Sequence, residues 1–265
     1  MFILTYVYII QNSIKEPSFV NSMTSVELKN LLTNLVNDFH FEHSKKRKLI
    51  AIVGLLGDFD SFEYAINLRK FAILNNLENL DIFLIAIGNQ KGKEKFCKYT
   101  GFPEKNIKVV TNNQLHQFVG ASKGLDIGLG GWINMTLMLV GIGSSRTIIE
   151  VVRGYTGDKG ANQIYNDNDQ INLFNIFRFS GKLFRKPFGE GYLRPFELAT
   201  FRLNNMVEIF KNWKDYMIDT KYLPQRSCTF IIDQNNEVIY QYFSKDILNY
   251  SKNMKSPLDF LKKYI

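Results

Sequence analysis

Between residues 46 and 76 the chain passes from a continuous apolar run into a helical stripe. Residues 49–56, LIAIVGLL, are apolar almost without interruption, the pattern of a strand covered on both faces. Gly57-Asp58-Phe59-Asp60-Ser61 then supplies turn chemistry, and Asp and Ser side chains accept hydrogen bonds from the free amides of a helix's first turn. From Phe62 the apolar positions fall at Ala65, Leu68, Ala72 and Ile73, which predicts a helix. Ligands of open α/β sheets bind outside the C-terminal strand ends, so residues 57–63 form the first wall of any site. That wall holds carboxylates and a serine, with neither cysteine nor histidine.

The same alternation continues on either side. Residues 25–39 predict a helix, with Thr24 and Glu27 as a capping box and Val26, Leu28, Leu31, Leu32, Leu35 and Val36 as its buried stripe. Strands are expected at 81–87 and 107–111, and helices at 91–99 and 113–119, the first of these with Phe96 and Cys97 on its packed side. Residues 228–233 and 238–243 flank Gln234-Asn235-Asn236-Glu237, a hairpin signal. Ser256 and Pro257 open an expected closing helix to Tyr264. This order, βαβαβα followed by ββα, predicts an α/β thioredoxin-like fold: a central mixed sheet flanked by helices. Residues 1–45 are an N-terminal extension with one helix, and 46–265 one domain interrupted by a long, mostly helical insertion at about 120–223.

Within the insertion, residues 127–145 carry no charge over nineteen positions, a length that could just span a bilayer. Five glycines, an asparagine and a threonine argue against that, so no transmembrane span is expected. A buried helix at 132–140 is expected to lead into another at 145–153, with Leu137, Met138, Val140, Ile148, Ile149 and Val152 packed together. The phrases GIGSSR and GYTGDKG fit no phosphate-loop pattern, and a polar, exposed loop is expected through Gln170. Residues 174–196 mix aromatics with Arg178, Lys182, Arg185, Lys186 and Arg194. The leading reading is a loop packed on its own domain, then docking on an acidic protein or membrane, with nucleic acid last. An amphipathic helix at 195–217 is expected to pack through Leu203, Met206, Val207, Phe210, Trp213 and Met217.

Composition narrows this little. The 265 residues, 45% hydrophobic, suffice for one large core, and a net charge of +8 admits acidic partners without requiring one. Abundant Ile, Asn, Lys, Phe and Tyr suit AT-biased coding, as in organelle genomes or streamlined bacteria. Two cysteines, Cys97 and Cys228, are too few for a disulfide framework or a zinc ribbon. His40 and His43 have no third ligand nearby and read as linker histidines, so neither a metal nor a cofactor is expected. The apolar start MFILTYVYII lacks the marks of a signal peptide and reads as a strand or a docked tail.

Three stretches carry a family resemblance: VGLLGDFDSFEYAINL, IAIGNQKGKEKFCKYTGFPEKNIKVVTNNQLHQFVGAS and TFIIDQNNEVIYQYFSKDIL. Together they resemble the peroxiredoxin-like branch of the alkyl hydroperoxide reductase/thiol-specific antioxidant (AhpC/TSA) family. The phrases RGYTGDKGA and RPFELATFRLNNM bring it nearest a cyanobacterial and plastid subset. The resemblance implies a thioredoxin-like fold, a thiol reductant as partner, and a plastid stroma or the cytoplasm of a cyanobacterium-like cell, beside the photosynthetic membrane. It also implies a cysteine at the strand-to-helix turn, where helix amides and dipole lower a thiol pKa. This chain instead has Asp58, Asp60, Ser61 and Glu63 there. Serine oxygen cannot reduce a peroxide, and the carboxylates are expected to repel an anionic hydroperoxide. The expectation is therefore a non-catalytic or redox-altered binding protein. The rival is a thiol-dependent peroxidase using a displaced cysteine. Cys228 is the first candidate, beside the facing loop at Arg226 and Ser227, and Cys97 the second, with Lys95 and Lys98 available to lower its pKa.

Overall fold

A computed structural model of the chain describes residues 24–37, 39, 46–75, 79–173 and 176–265. His40, His43 and the apolar start MFILTYVYII lie outside the described residues. The central sheet has five strands: β1 (Arg47–Leu55), β2 (Leu80–Ile87), β3 (Ile107–Val110), β6 (Cys228–Ile232) and β7 (Val238–Phe243), in the order β3-β2-β1-β6-β7. β1, β2 and β3 are parallel, whereas β6 runs antiparallel to β1 and forms the expected hairpin with β7. Strand β1 sits at the centre and alternates between two apolar layers, which explains its unbroken apolar run. Leu49, Ala51 and Val53 enter the larger layer with Phe62, Ala65 and Leu68 of helix α2 (Phe59–Asn75) and Phe96 of α3 (Gln90–Thr100). Ile50 and Ile52 enter the other layer with Leu32 and Val36 of α1 (Ser25–Asn37). Helices thus cover both faces of a mixed sheet, the thioredoxin-like arrangement that the element order predicts.

Local signals are met where their chemistry is local. Thr24 and Glu27 close a capping box: the Glu27 amide donates to Thr24 Oγ1 at 3.2 Å, and the Thr24 amide to Glu27 Oε2 at 2.8 Å. Asn89 caps α3, and Gly101, at φ 68°, ends it in the left-handed region that favours glycine. Val26 and Ile73, placed on buried stripes by spacing, are instead exposed, at the outer turns of their helices, which no described residue covers. The closing helix is reduced to a 3₁₀ turn at Asp259–Lys263.

Between α4 (Gln114–Phe118) and β6 lie α5 (Gly131–Leu139), α6 (Ser145–Thr156), the hairpin β4 (Gln170–Leu173)–β5 (Phe177–Ser180), α7 (Lys182–Phe188), α8 (Glu197–Lys211) and α9 (Trp213–Tyr216). The hairpin was not legible in the alternation, and Asn212 breaks the long helix expected over 195–217 into α8 and α9. Helix α8 buries Leu198, Phe201, Asn205 and Ile209, one turn-face away from the expected stripe, while Phe210 is exposed and Trp213 stacks on Trp132 at 4.8 Å. Helix α6 departs most from expectation. It buries Thr147, Glu150 and Gly154 and leaves Ile148, Ile149 and Val152 in solvent. Among the described residues no helix is long and apolar enough to cross a membrane.

In the basic–aromatic stretch, Arg194 is fully buried and bonded to Glu197 Oε1 at 2.7 Å and to the Tyr165 carbonyl at 2.6 Å. Arg185 pairs with Asp167 and Glu190, and Arg178 with Asn172. These three arginines thus bind residues of the insertion itself.

Candidate functional site

The turn after β1 is where a helix begins at the C-terminal edge of the sheet. Asp58 is the residue before α2; its carbonyl accepts from the amides of Ser61 and Phe62 at 3.1 and 3.3 Å. Ser61 Oγ donates to the Leu55 carbonyl at 2.8 Å, so this hydroxyl ties the helix start to the strand end and is no free nucleophile. Residues 223–226 approach from across the sheet because β6 is antiparallel to β1, with Cys228 opposite Ile52. A Cβ at Gly54 would lie 2.7 Å from the Gln225 carbonyl, and one at Gly57 would meet Tyr216 and Met217 at 2.8 and 2.7 Å. Both glycines are therefore required by the closeness of the roof. Asp58, Asp60, Ser61 and Glu63 are all buried beneath it.

Buried carboxylates need counter-charge, and arginines supply it. Arg226, 1% exposed, reaches Asp58 Oδ2 at 3.5 Å and Asp60 Oδ2 at 3.2 Å, and spends its other donors on the Leu223 and Pro224 carbonyls at 2.9 and 2.7 Å. Glu63 takes Arg202 Nε at 2.7 Å and the Tyr250 hydroxyl at 3.1 Å. Arg202, on α8, also donates from Nη1 to the Glu150 carbonyl at 2.9 Å, and Glu150 is held in turn by Arg153 at 2.5 Å. Four carboxylates thus meet three guanidiniums in a buried network of two groups, Asp58–Arg226–Asp60 and Glu63–Arg202–Glu150–Arg153. Together their charge closes to zero if one carboxyl keeps its proton.

Asp60 is the carboxyl whose surroundings most favour a proton. Burial pushes its pKa well above the ordinary range, and the neighbouring Asp58 charge pushes it further, against the opposing pull of Arg226. Asp60 Oδ1 is buried without a hydrogen-bond partner, which a neutral carboxyl tolerates better than an ionised one. Burial raises Asp58 as well, opposed by Arg226 and by the Phe59 and Asp60 amides. On Arg202, burial pulls the pKa down, but the Glu63 and Glu150 charges and the Glu63 hydrogen bond outweigh it and leave a net rise. The expectation took these carboxylates as free to repel anions; the structure places them under the roof, out of solvent and beside Arg226 and Arg202.

The cysteines lie elsewhere. Cys228 belongs to the apolar layer under α1, on the face of the sheet away from α2, and burial holds its thiol far above the ordinary value. Of the facing loop, Arg226 therefore enters the turn and Cys228 does not; Ser227, buried between them, uses its carbonyl to accept the Ser244 amide at 2.9 Å. Cys97 packs in the larger layer, and burial, with Glu104 beside it, raises its thiol to about 11 against the smaller pull of Lys93. Neither Lys95 nor Lys98 lowers it as the sequence suggested; Lys95 is bound to Asp215 at 2.7 Å.

Sequence reasoning placed Asp58, Asp60, Ser61, Glu63 and Arg226 together but missed Glu150, Arg153 and Arg202. Arg202 is 139 positions from Glu63, and no local pattern marks such a pair. A weaker signal was present: an acid at Glu150, flanked by Ile148, Ile149, Val151 and Val152, needs a partner if it is buried. Two cavities stand apart from the network. One of about 320 Å³ lies by Arg69 and Ile73, the other, of about 270 Å³, by Asn113, Lys123 and Gln225. Among the described residues no three metal-ligating side chains are grouped to hold an ion.

No curated protein and no solved structure matches the chain. The family model described as AhpC/TSA antioxidant enzyme matches residues 68–246, more than half of the chain. The match begins inside α2, past the turn itself, and so speaks for the scaffold and the insertion alike while leaving the turn's own chemistry to its residues. With the sheet order and helix placement of the fold, this match shows that the chain belongs to the AhpC/TSA family.

Proposed function

We propose that this is a peroxiredoxin-like, thioredoxin-fold protein that works by binding, its thiol seat having been given over to a neutral carboxylate–arginine cluster. The observation that carries the reading is Arg226 held between Asp58 and Asp60 at the helix start, where a redox-active relative needs a thiolate. A thiolate is favoured there by free helix amides and an open approach. Here the Phe59 and Asp60 amides turn to Asp58, and Tyr216, Met217 and the 223–226 segment close the approach. Reduction of a hydroperoxide transfers oxygen to sulfur, so a cluster of oxygen and nitrogen groups cannot perform it. The partner in this reading is an acidic protein or membrane surface, in a plastid stroma or a cyanobacterium-like cytoplasm, beside the photosynthetic membrane.

Membership of an antioxidant family favours the rival reading, a peroxidase that uses Cys228 or Cys97 with an external thiol reductant. Peroxide consumption coupled to a thioredoxin system separates the two. The expected rate is that of the protein-free control, unchanged by Cys97→Ser or Cys228→Ser. Turnover that either substitution abolishes would restore the enzyme reading.

A further inference from the structure

Helix α6 is built inside out. Its inward face carries Thr147, Glu150 and Gly154, and its outward face Ile148, Ile149, Val152 and Tyr155, each of these four between 47% and 65% exposed. The inward polarity has a reason. Glu150 completes the buried charge network, Thr147 Oγ1 donates to the Ile247 carbonyl at 3.0 Å, and Gly154 faces Ala199 of α8. The outward apolarity has no such reason within the described residues, since a solvated face would be polar.

The apolar surface runs beyond α6. Ile148 lies against Gly141, next to the 58% exposed Val140 at the end of α5. At the far end of α5, Trp132 stacks on Trp213 at 4.8 Å, which stacks on Phe210 at 5.7 Å, while Tyr155 meets Phe196 edge to face at the other extreme. Aliphatic side chains thus fill the middle and aromatic rings both ends.

Charge decides what such a surface fits. From residue 127 to 157 the one acid is Glu150, and it is buried and bound to Arg153 and Arg202. Exposed Arg146 stands at the start of α6, and exposed Lys211 and Lys214 flank Trp213. Of the carboxylates around this stretch, Asp215 pairs with Lys91 and Lys95 and Asp158 with Lys255, while Asp246 accepts the Arg146 amide and exposed Asp126 the Gly128 amide. A second copy docked on this face would bring like charges to one seam. An anionic bilayer accepts the aliphatic middle, the aromatic ends and the cations together, and needs no matching shape.

We propose that the α5–α6 face lies on an anionic lipid surface, as an interfacial contact and not a span. The inference rests on the reading of the chain as a binding protein and names the surface it binds.

The test is co-sedimentation of the full chain with phosphatidylcholine vesicles, with and without phosphatidylglycerol, alongside light scattering for mass. Binding is expected with phosphatidylglycerol only, and to weaken as salt is raised. Ile148→Ser with Val152→Ser should lower the apparent affinity at least about tenfold, since two exposed aliphatic anchors are lost. Lys211→Glu with Lys214→Glu should lower it comparably while the apolar face stays intact. Both pairs lie at the surface, so an unchanged melting temperature certifies the fold. Four results overturn the proposal: no binding to anionic vesicles; binding that survives both double variants; a dimer that Ile148→Ser dissolves, which assigns the face to a second copy; or a melting temperature lowered by Ile148→Ser without loss of binding, which assigns it to another segment of this chain. A peroxide assay on the same samples reports on the binding reading separately, so the two failures are distinguishable.

Discussion

Arg226→Met lowers the unfolding free energy by about 3–5 kcal/mol, read as a shift of the urea midpoint at pH 7. The substitution keeps most of the side-chain volume but strands Asp58 and Asp60 under the roof without their shared cation, and leaves the Leu223 and Pro224 carbonyls without a donor. Asp60→Asn serves as the contrast. If Asp60 already holds a proton, the amide replaces a neutral group with a neutral group, and the midpoint stays close to that of the parent. A loss from Asp60→Asn as large as that from Arg226→Met would mean that Asp60 is ionised in the fold.

His116 gives the second large effect, as a pH dependence. It is fully buried, Nε2 lies 2.6 Å from the Val53 carbonyl, and Nδ1 has no partner. Burial lowers its pKa from 6.5 to about 4, opposed by the Val53 hydrogen bond. Between those values the unfolded chain binds the proton and the folded chain does not. The contribution is therefore fully present above pH 6.5 and is lost as pH falls toward 4, by up to about 3 kcal/mol. Asp58 and Asp60 act with the opposite sign: their raised pKa values make the fold gain stability as pH falls through the range above the ordinary carboxyl value. Comparison with His116→Gln isolates the histidine. As the pH falls from 6.5 to 4 the parent should lose stability relative to His116→Gln, and parallel curves would show that the ring titrates normally in the fold.

The parts of the architecture legible in the sequence are those whose causes are short-range. Thr24 and Glu27, Asn89, and Asp233 with its two acceptor contacts to the Asn235 and Glu237 amides all act within four positions, and each element they cap stands where periodicity put it. β1 was legible because burial on both faces writes an unbroken apolar run. Helix α6 was not, because periodicity assumes that apolar positions face inward, and here Glu150 and Thr147 hold the inner face. The same assumption misplaced the stripe of α8, where Asn205 is buried beside Phe201 and Ile209. At the turn, sequence identified the residues and their lack of sulfur. Their electrostatic state depends also on Arg202, brought in from the insertion by packing that no local spacing encodes.

The central claim is that no reactive thiolate occupies or reaches the seat at residues 57–63. Thiol titration of the folded protein tests it most directly, using an aromatic disulfide reagent at pH 7, before and after exposure to excess hydrogen peroxide, with the same titration repeated in denaturant. Cys97 and Cys228 are expected to stay unreactive in the fold and to be recovered in full after unfolding, with peroxide making no difference. Fast modification of one thiol in the native state, or loss of one to peroxide at a rate above that of free cysteine, would contradict the account.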